Sequence, residues 1–596
     1  SDGPEKGIFF NENNSLGVWT NVAGVYNHFL ITGEGETTFS NVASNAMTVN
    51  NAAGELTVAL IPIKNQTPTT ELINAVAALA RNVVASVTVD YQVDRTTNSV
   101  AITHQYLDQQ GLAIETYAGL MPMHWKNQVT SVAPEFSIRS ARGVIQFQAT
   151  DSFTYSLPAI GVLPALPTLP GTFDLNQFSA LVREFIDAGP PSWNSQTNTY
   201  WAGKNYGKVA DLIAIADASG LETEADQLLA WLKIELADWF TANTNGSLDE
   251  VKYFVYDDRW DTLLGLEEAF GSHQQLNDHH FHYGYFIRAA AEICRQDVQW
   301  CSETQYGPMI ELLIRDYAAG RDDPLFPYLR HFDPANGFSW ASGKVNFVRG
   351  NNNESTSEAA NAYGAMVLYG LITQQDDIVD RGMYLHASTA AAYWEYWNNL
   401  DGFNQLSAET DNFPPGYSRI TTSIIWGDGS AFATFFSGAF AHILGIQGLP
   451  SNPLILHVGQ YPDYLADYVA LGLSESSNQR PSGLPNDQWR DLWWNLWALQ
   501  DPDAAIADYE SVGSYIPEAG ETKAHTFHWL YTFQALGQMI TGTGDLTADY
   551  PAAMAFNKSG VVTYVVYNFD ASPRRVTFSN GQVVDAAPLG FTWVTN

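Results

Sequence analysis

A carboxylate stands among imidazoles and a phenol in the segment LNDHHFHYGYFIRAAAEI, directly before a helical pattern. These polar residues are Asp278, His279, His280, His282 and Tyr283. An aspartate in such surroundings can act as a general acid or base, with a pKa raised by desolvation or lowered by a charged histidine. Adjacent and alternate histidines do not share a helix face as those of HExxH do, so the spacing disfavours zinc. The structural alternative is an acidic helix N-cap beside hydrogen-bonded histidines.

Two glutamates four residues apart, Glu354 and Glu358, lie in the segment RGNNNESTSEAANAYGAM. On a helix both carboxylates would point the same way, one turn apart, where like charges repel. One glutamate could polarise a water molecule as a base while the other orients that water or binds a sugar hydroxyl. The alternative is a solvated helix entrance, because polar residues precede the apolar run AANAYGAMVLYG.

Aromatic rings alternate with charged groups in the segment PLFPYLRHFDPANGFSWASGKVNF, which includes Arg330, Asp333 and Trp340. Flat rings stack on sugars and planar polar groups bind hydroxyls, so this composition indicates a carbohydrate groove. A buried aromatic loop is the alternative. The segments YDDRWDTLLG, WAGKNYGK and IIWGDGSAF share this character more weakly. The sequence has no Walker loop, GxGxxG fingerprint or GxSxG elbow, which disfavours nucleotide-binding and α/β-hydrolase functions.

The first part of the chain that must position these segments has a period of two. The runs ASVTVDYQVD and VAITHQYL flank the turn RTTN, and GVIQFQAT repeats the alternation. This pattern predicts an antiparallel β-sandwich over residues 1–157, with one helix at TTELINAVAALARNVV. Four prolines in YSLPAIGVLPALPTLPG interrupt regular structure and predict a linking region over residues 158–200.

Residues 201–552 carry helical periodicity. In ETEADQLLAWLKIELADWF, Leu228, Leu232 and Leu236 share one face and Thr223 is the predicted N-cap. Many similar stretches joined by Gly and Pro loops predict an all-helical toroid. The uncharged run SAFATFFSGAFAHILGIQGLP is predicted to be a buried helix because its polar residues disfavour a membrane span. Strand-like alternation predicts a terminal β element over residues 553–596.

Composition limits the class of partner. The chain has 28 Lys and Arg against 64 Asp and Glu, and its net charge of −36 disfavours nucleic acid, anionic membranes and polyanionic substrates. No basic segment or hydrophobic leader precedes SDGPEKG, as we expect of a processed, secreted chain. Cys294 and Cys301 are expected to form a disulfide in an oxidising compartment; the alternative is a pair of inert thiols in a reducing one.

Three blocks of the sequence resemble, in this order, the signature blocks of glycoside hydrolase family 81, the endo-β-1,3-glucanases or laminarinases. They are LNDHHFHYGYFIRAAA, FPYLRHFDPANGFSWASG and NNNESTSEAANAYGAMVLYG, within residues 256–370. A weaker likeness continues through ATFFSGAFAHILGIQGLP and WNLWALQDPDAAIADY to the terminal TYVVYNF. The resemblance implies an N-terminal β-sandwich, a small linking region and an (α/α)6 toroid that carries the catalytic cleft.

The resemblance also implies roles for individual residues. Asp278 falls on the family's general acid, Glu358 on its proposed catalytic base and Glu354 on the assisting carboxylate. The family inverts the anomeric configuration, so the acid would protonate the glycosidic oxygen while the base activates water on the opposite sugar face. From the likeness of the blocks and their chemistry, the expected substrate contacts are His279, His282, Tyr283, Asp333 and Trp340.

We therefore expect a secreted, monomeric endo-hydrolase that cleaves internal β-1,3-glucosidic bonds of laminarin-type glucans without a metal or organic cofactor. Neither nucleic acid nor a membrane is an expected partner. A polysaccharide lyase on a helical toroid is one alternative, but a lyase needs basic residues for its uronic acids and the chain has only 28. A non-catalytic β-glucan-binding protein is the other alternative, and the presence of all three carboxylates argues against it.

Overall fold

The computed structural model of the chain describes residues 5–12, 14–42, 44–244, 246–343, 347–407, 410–474, 489–542 and 546–596. The chain divides into two compact units. Unit 1 comprises Ser1–Tyr91, Ala101–Ser156 and Ser407–Pro414. Unit 2 comprises Gln92–Val100, Leu157–Leu406 and Pro415–Asn596. Among the described residues, none of the helices combines the length and the apolar character needed to cross a membrane.

The alternating sequence of the first 158 residues forms strands. They are β1 (Lys6–Glu12), β2 (Ser15–Val22), β3 (Val25–Gly33), β4 (Thr37–Ser40), β5 (Thr48–Asn51), β6 (Leu56–Lys64), β7 (Ser86–Asp94), β8 (Ser99–Leu107), β9 (Thr116–Leu120), β10 (Phe136–Ser140), β11 (Gly143–Thr150) and β12 (Ser152–Pro158). Their sheets have the orders β1-β2-β3-β6, β10-β11-β9, β12-β8-β7 and β4-β5. The predicted strands on either side of RTTN are β7 and β8, which are neighbours, and GVIQFQAT is β11; these predictions are confirmed.

The predicted helix of unit 1 is α1 (Thr70–Leu79), and a short α2 (Pro122–Lys126) follows it. Thr69 caps α1 by accepting a hydrogen bond from the Leu72 amide. The buried face of α1 packs on strands β3 and β6 in a core formed by Leu30, Ile61, Ile73 and Val76. An amphipathic helix thus covers one sheet, as the sequence pattern predicts.

Helices dominate unit 2. They are α3 (Leu175–Asp187), α4 (Pro190–Trp193), α5 (Thr199–Ala218), α6 (Glu222–Trp239), α7 (His279–Gln296), α8 (Gly307–Ala318), α9 (Thr356–Thr373), α10 (Asp376–Ala392), α11 (Leu400–Phe403), α12 (Phe440–Gly445), α13 (Pro462–Ser474), α14 (Arg490–Ala498), α15 (Pro502–Ser511) and α16 (Lys523–Leu536). A π-helical turn covers Tyr393–Trp397. Short 3-10 turns cover Val298–Cys301, Ile446–Gly448 and Pro453–Gly459.

Small β elements interrupt and end this helical region. They are β13 (Asn243–Thr244), β14 (Ser247–Leu248), β15 (Tyr253–Asp257), β16 (Thr262–Leu266), β17 (Phe332–Asp333), β18 (Phe338–Ser339), β19 (Asn352–Asn353), β20 (Ile424–Trp426), β21 (Gly429–Ala431), β22 (Gln538–Met539), β23 (Ala553–Lys558), β24 (Val561–Asn568), β25 (Arg574–Thr577), β26 (Val583–Ala586) and β27 (Gly590–Thr595). The terminal strands β23 to β27 confirm the predicted β element. The prediction of an all-helical run is wrong at the hairpins, whose strands are too short to give a period in the sequence.

Helix α7 packs between α5 and α9 in unit 2. Glycines permit their close approach. A Cβ added to Gly284 of α7 would lie 2.4 Å from the Cβ of Ala362 on α9, and one added to Gly203 of α5 would lie 3.1 Å from the His282 carbonyl oxygen. Such close packing leaves the three helices little freedom to shift against each other.

Two local predictions are corrected. Helix α6 begins directly after Leu221, so Thr223 lies inside its first turn and is not the N-cap; Gly220, at φ +75°, redirects the chain immediately before it. The predicted helix over residues 430–450 contains only the six-residue α12, and Phe435 and Phe436 are exposed. A disulfide joins Cys294, near the end of α7, to Cys301, with their Cα atoms 5.6 Å apart.

Candidate active site

Asp278 occupies the residue immediately before α7 with left-handed backbone angles, φ 59° and ψ 19°. Its amide donates to the Ala341 carbonyl at 2.8 Å, and its carbonyl accepts from the His282 amide at 3.0 Å. The side chain makes no capping bond to the helix; Oδ2 accepts instead from Nδ2 of Asn277 at 2.8 Å. The N-cap alternative therefore does not apply to this carboxyl. A non-glycine residue held in this conformation is uncommon, and such residues cluster at functional sites.

The surroundings of Asp278 favour its protonated form. Burial raises the pKa of this carboxyl well above its usual value, and the negative charges of Glu358 and Glu354 raise it further. A carboxylic acid kept neutral near pH 7 can donate a proton to a leaving group. The three predicted carboxyls thus interact electrostatically with each other.

Glu358 lies in the first turn of α9, where its amide donates to the Oγ of the N-cap residue Ser355 at 3.3 Å. The residue is 4% exposed. Two phenols donate to the same carboxylate oxygen, Oε1: Tyr200 at 3.0 Å and Tyr285 at 2.9 Å. Burial raises the pKa of Glu358, while the charge of Lys204 and these hydrogen bonds oppose that rise. The carboxylate is thus fixed in orientation by α5 and α7 together.

Glu354 precedes α9 and lies outside it, between β19 and Ser355. The predicted placement of both glutamates on one helix face is therefore wrong, because the chain enters the helix only at Thr356. The Oε1 atom of Glu354 accepts from the Phe435 amide at 3.1 Å. Burial is the main cause that raises the pKa of Glu354 to about 7. At neutral pH this carboxyl exchanges its proton readily and can serve as donor or acceptor.

The other residues predicted on α7 lie in the protein interior. Both ring nitrogens of His279 form hydrogen bonds of 2.8 Å. Nδ1 is bonded to Asp316 Oδ2, and Nε2 is bonded to the Ser272 carbonyl oxygen. His282 Nδ1 is 2.8 Å from the Thr199 hydroxyl, and Tyr283 donates to the Leu263 carbonyl at 2.7 Å. All three side chains are fully buried, so the structure does not bring them to the solvent. In the described part of the chain, no three His, Cys, Asp or Glu side chains are arranged to hold a metal ion.

Replacement of Asp316 by asparagine is expected to destabilise the protein by about 3 kcal/mol at pH 7, because it removes a fully buried carboxylate that is hydrogen-bonded to His279, Thr262 and the Leu263 amide. Asp316 is fully buried and also accepts from Thr262 Oγ1 and the Leu263 amide, each at 2.7 Å. Burial alone would raise the pKa of Asp316, but the charge and hydrogen bond of His279 lower it. The contribution of a carboxylate with a lowered pKa is lost as the pH falls.

Denaturant unfolding at pH 7 and at more acidic pH measures this effect. The deficit of the Asp316→Asn variant should narrow toward acidic pH. Asp585→Asn, in an exposed pair with Arg575, is the matched control and should unfold like the parent. A variant that unfolds like the control at pH 7 would contradict the role given to the His279–Asp316 pair.

Asp333 and Trp340 lie on the hairpin of β17 and β18. Trp340 Nε1 donates to Asp333 Oδ2 at 2.9 Å, and the same oxygen accepts from Asn336 Nδ2 at 2.6 Å. Both predicted residues are half-buried, so the aspartate orients an indole that remains accessible. Arg330 donates to the carbonyls of Asp316 and Trp260 and so holds this loop to the helical region. Residues 344–346 of the segment lie outside the described residues.

The sequence analysis missed the aromatic residues that surround the carboxyls. Phe270 is exposed, and its ring centroid lies 5.0 Å from that of Tyr200. On another side, Phe435 and Phe436 are exposed next to Glu354, whose carboxylate the Phe435 amide binds. The aromatic segment WAGKNYGK weakly indicates that α5 contributes to the site. Phe435 and Phe436 could not be recognised from the sequence, because the pattern predicts that they lie in a buried helix.

The chain has clear relatives. Residues 179–569 match the model of the glycosyl hydrolase family 81 C-terminal domain. A protein of Thermobifida fusca named glucan endo-1,3-beta-D-glucosidase is 36% identical over 96% of this chain and 72% of its own length. A protein of the same name from Acetivibrio thermocellus is 36% identical over 84% of this chain and 61% of its own length.

A solved structure gives the same result. A glycoside hydrolase family 81 protein from Clostridium thermocellum superposes with a TM-score of 0.89 at 32% identity, covering 99% of this chain and 79% of that one. Two thirds of this chain thus match the family model, and nearly all of it is similar to a family member in both sequence and fold. The chain belongs to glycoside hydrolase family 81.

Proposed function

We propose that this chain is an endo-acting β-1,3-glucan hydrolase. The observation that carries the proposal is the interaction of one carboxyl whose pKa is raised, Asp278, with a second carboxyl, Glu358, that is held by two phenols. The relatives from Thermobifida fusca and Acetivibrio thermocellus are named glucan endo-1,3-beta-D-glucosidases, which supports the β-1,3-glucan substrate. A neutral glucan also suits a protein with a net charge of −36, since no charge repulsion opposes binding.

In the proposed mechanism Asp278 donates its proton to the glycosidic oxygen as the bond to the anomeric carbon breaks. Glu358 accepts a proton from a water molecule that attacks the opposite face of the sugar, which inverts the anomeric configuration. The two carboxyls of such a pair stand roughly 6.5–9.5 Å apart to admit that water. Glu354, with a pKa of about 7, assists by orienting the water or a sugar hydroxyl.

Two features support Glu358 over Glu354 as the base. Both phenols donate to Oε1 of Glu358, which stabilises its carboxylate and leaves the water to approach Oε2. Burial raises the pKa of both glutamates, but the charge of Lys204 and the two phenols oppose this rise at Glu358, whereas the pKa of Glu354 is raised to about 7. A base needs its ionised form at the working pH.

The sugar chain is proposed to run along the accessible rings near the carboxyls. Trp340, oriented by Asp333, is one such ring, and Phe270, Phe435 and Phe436 are others. Stacking on a ring face binds the apolar face of a glucose residue. The buried residues His279, His282 and Tyr283 are proposed to position α7, in place of the substrate contacts expected from the sequence.

We also propose the division expected from the family resemblance: a β-sandwich over residues 1–157, a linking region over 158–200, an (α/α)6 toroid over 201–552 and a β element over 553–596. The packing of α7 between α5 and α9 in unit 2 supports the toroid. The protein is proposed to be secreted and monomeric, and the Cys294–Cys301 disulfide supports an oxidising compartment.

Proton NMR of the first products from laminarin tests substrate, reaction and stereochemistry together. New reducing ends are expected to be α-anomers before mutarotation, because the water attacks opposite the β bond. Initial β-anomers would contradict inversion and require a nucleophile. Binding to laminarin without release of reducing ends would favour the glucan-binding alternative, and ultraviolet-absorbing unsaturated products would favour the lyase.

A further inference from the structure

A buried lysine, Lys204, interacts electrostatically with the proposed base, Glu358. Lys204 is on α5, one turn after Tyr200, and its side chain is 3% exposed. Its Nζ donates to Glu518 Oε1 at 2.7 Å, and the Glu518 side chain is equally buried. An ion pair this deep has a large desolvation cost and is weak evidence for a contribution to stability. Its position therefore calls for a functional explanation.

The loop between α15 and α16 fixes Glu518. Its Oε2 accepts from the Gly520 amide at 2.6 Å, and its own amide donates to Asp491 Oδ2 at 2.8 Å. Lys208, one turn after Lys204, donates to the Ala519 carbonyl at 3.0 Å. These contacts hold Glu518 in place as a hydrogen-bond acceptor. Glu518 in turn fixes the position of the Lys204 ammonium group.

That position places the ammonium against the residue that holds the base. Nζ lies 5.8 Å from the ring centroid of Tyr200 and 5.7 Å from that of Trp201. The Tyr200 hydroxyl donates to Glu358 Oε1 at 3.0 Å. A cation near the face of an aromatic ring is attracted to it, and its positive charge favours the ionised form of a nearby carboxyl.

We propose that the Lys204–Glu518 pair is a positioning unit for the catalytic base, which holds Tyr200 in place and supplies a buried positive charge near Glu358 without touching the substrate. The inference rests on the proposed function, since it assigns Glu358 as the base. Lys204 belongs to none of the sequence blocks that carry the family resemblance, and no role was expected for it from the sequence.

Several charged and titratable groups surround the Lys204–Glu518 pair and Glu358. The charge of Lys204 opposes the rise in the pKa of Glu358, whereas burial causes that rise. Asp278, immediately before α7, and Glu354, before α9, interact electrostatically with Glu358, and Tyr285 of α7 donates a hydrogen bond to it. On the side of Lys204, the neighbouring groups are Glu518, Lys208, Asp491 and Glu521.

The test is the pH dependence of kcat/KM on laminarin for the parent chain and three variants. Lys204→Met/Glu518→Gln removes the pair without leaving a buried charge unpaired. In the pH profile of this variant, the fall of kcat/KM on the acidic side is expected to move to higher pH by about one unit. A base that has lost its neighbouring cation has a higher pKa and is protonated at higher pH. KM should stay within about twofold, and Lys204→Arg should restore most of the parent profile.

Lys252→Met/Glu235→Gln is the matched control. It removes another partly buried Lys–Glu pair of unit 2, 2.9 Å apart, whose members are not among the groups that shift the pKa of Glu358. Its acidic limb should coincide with that of the parent. A Lys204→Met/Glu518→Gln variant with an unshifted limb, or with a rate lowered equally at every pH, would overturn the proposal.

A second measurement needs no activity and separates this inference from the proposed function. Thermal unfolding is compared at pH 7 for the parent, Glu358→Gln, Lys204→Met/Glu518→Gln and the combined variant. Removal of the pair should lower the unfolding midpoint less when Glu358 is already a neutral glutamine. Equal losses in both backgrounds would contradict the inference even if the parent hydrolysed laminarin, while a parent that failed to hydrolyse it would contradict only the proposed function.

Discussion

Replacement of Asp278 by asparagine is expected to lower kcat on laminarin by roughly a hundredfold to ten-thousandfold, the usual contribution of a general acid. The amide keeps the size of the side chain and can still contact Asn277, but it has no acidic proton to give to the glycosidic oxygen. KM should change little, because the accessible rings remain in place. Reducing-end assays and calorimetric binding to a β-1,3-gluco-oligosaccharide measure the two effects separately.

A substrate with a good leaving group distinguishes the loss of the acid from general damage. A dinitrophenyl β-1,3-gluco-oligosaccharide needs no protonation to depart, so Asp278→Asn should hydrolyse it at close to the parental rate. An equal loss on both substrates would remove Asp278 as the acid. Asp585→Asn, the same chemical change at an exposed position of unit 2, should match the parent on both.

The stability of the Asp278→Asn variant provides a further check. The raised pKa of Asp278 means that the folded protein binds this proton more tightly than the unfolded chain does. The corresponding stabilisation is present below the pKa of the unfolded chain, near 3.9, and is lost as the pH rises toward the folded value. The asparagine variant should therefore unfold at a higher temperature than the parent in alkaline buffer. A lower midpoint there would contradict the burial assigned to this carboxyl.

Local sequence signals predict where both members of the proposed catalytic pair, Asp278 and Glu358, lie relative to helices. Asp278 was expected directly before a helix, and Glu358 at a helix entrance, and the structure has both. Each signal depends on neighbours within one helical turn: the start of an apolar period for α7, and a Ser with a Glu three residues later for α9. The role of each side chain required the family resemblance, because the same local signals also fit structural N-caps.

The partners of these carboxyls could not be predicted from local patterns. Tyr200 lies 158 residues before Glu358 in the chain and Tyr285 lies 73 residues before it. Only the packing of α5 and α9 on α7 brings them together. Lys204 and Glu518 are 314 residues apart, and nothing in either neighbourhood indicates the other. Long-range hydrogen bonds of this kind are set by tertiary structure alone.

The histidines show why composition can mislead. His279, His282 and Tyr283 are next to the proposed acid and have the chemistry of substrate contacts. A helix turns by about 100° per residue, however, so neighbours of Asp278 point to different sides. In the structure they form hydrogen bonds in the interior with Asp316, Thr199 and the Leu263 carbonyl.

Replacement of Glu358 by glutamine is expected to lower kcat on laminarin by roughly a hundredfold to ten-thousandfold, because the attacking water loses its base. Glutamine can still accept the hydrogen bonds of Tyr200 and Tyr285 through its amide oxygen, so the fold should be retained. The dinitrophenyl substrate should not rescue this variant, because a good leaving group does not activate water. The opposite responses of Asp278→Asn and Glu358→Gln to one substrate would assign acid and base independently of any resemblance.

Glu354→Gln and azide complete this assignment. If Glu354 only assists, its glutamine variant should keep more activity than Glu358→Gln and should respond less to pH near 7, where Glu354 itself titrates. The reverse order of losses would make Glu354 the base. Azide should not convert Glu358→Ala into a producer of glycosyl azide with retained configuration, since such a product requires a covalent glycosyl-enzyme intermediate. Its appearance would show a retaining mechanism in which another carboxyl is the nucleophile and Glu358 is the acid/base residue.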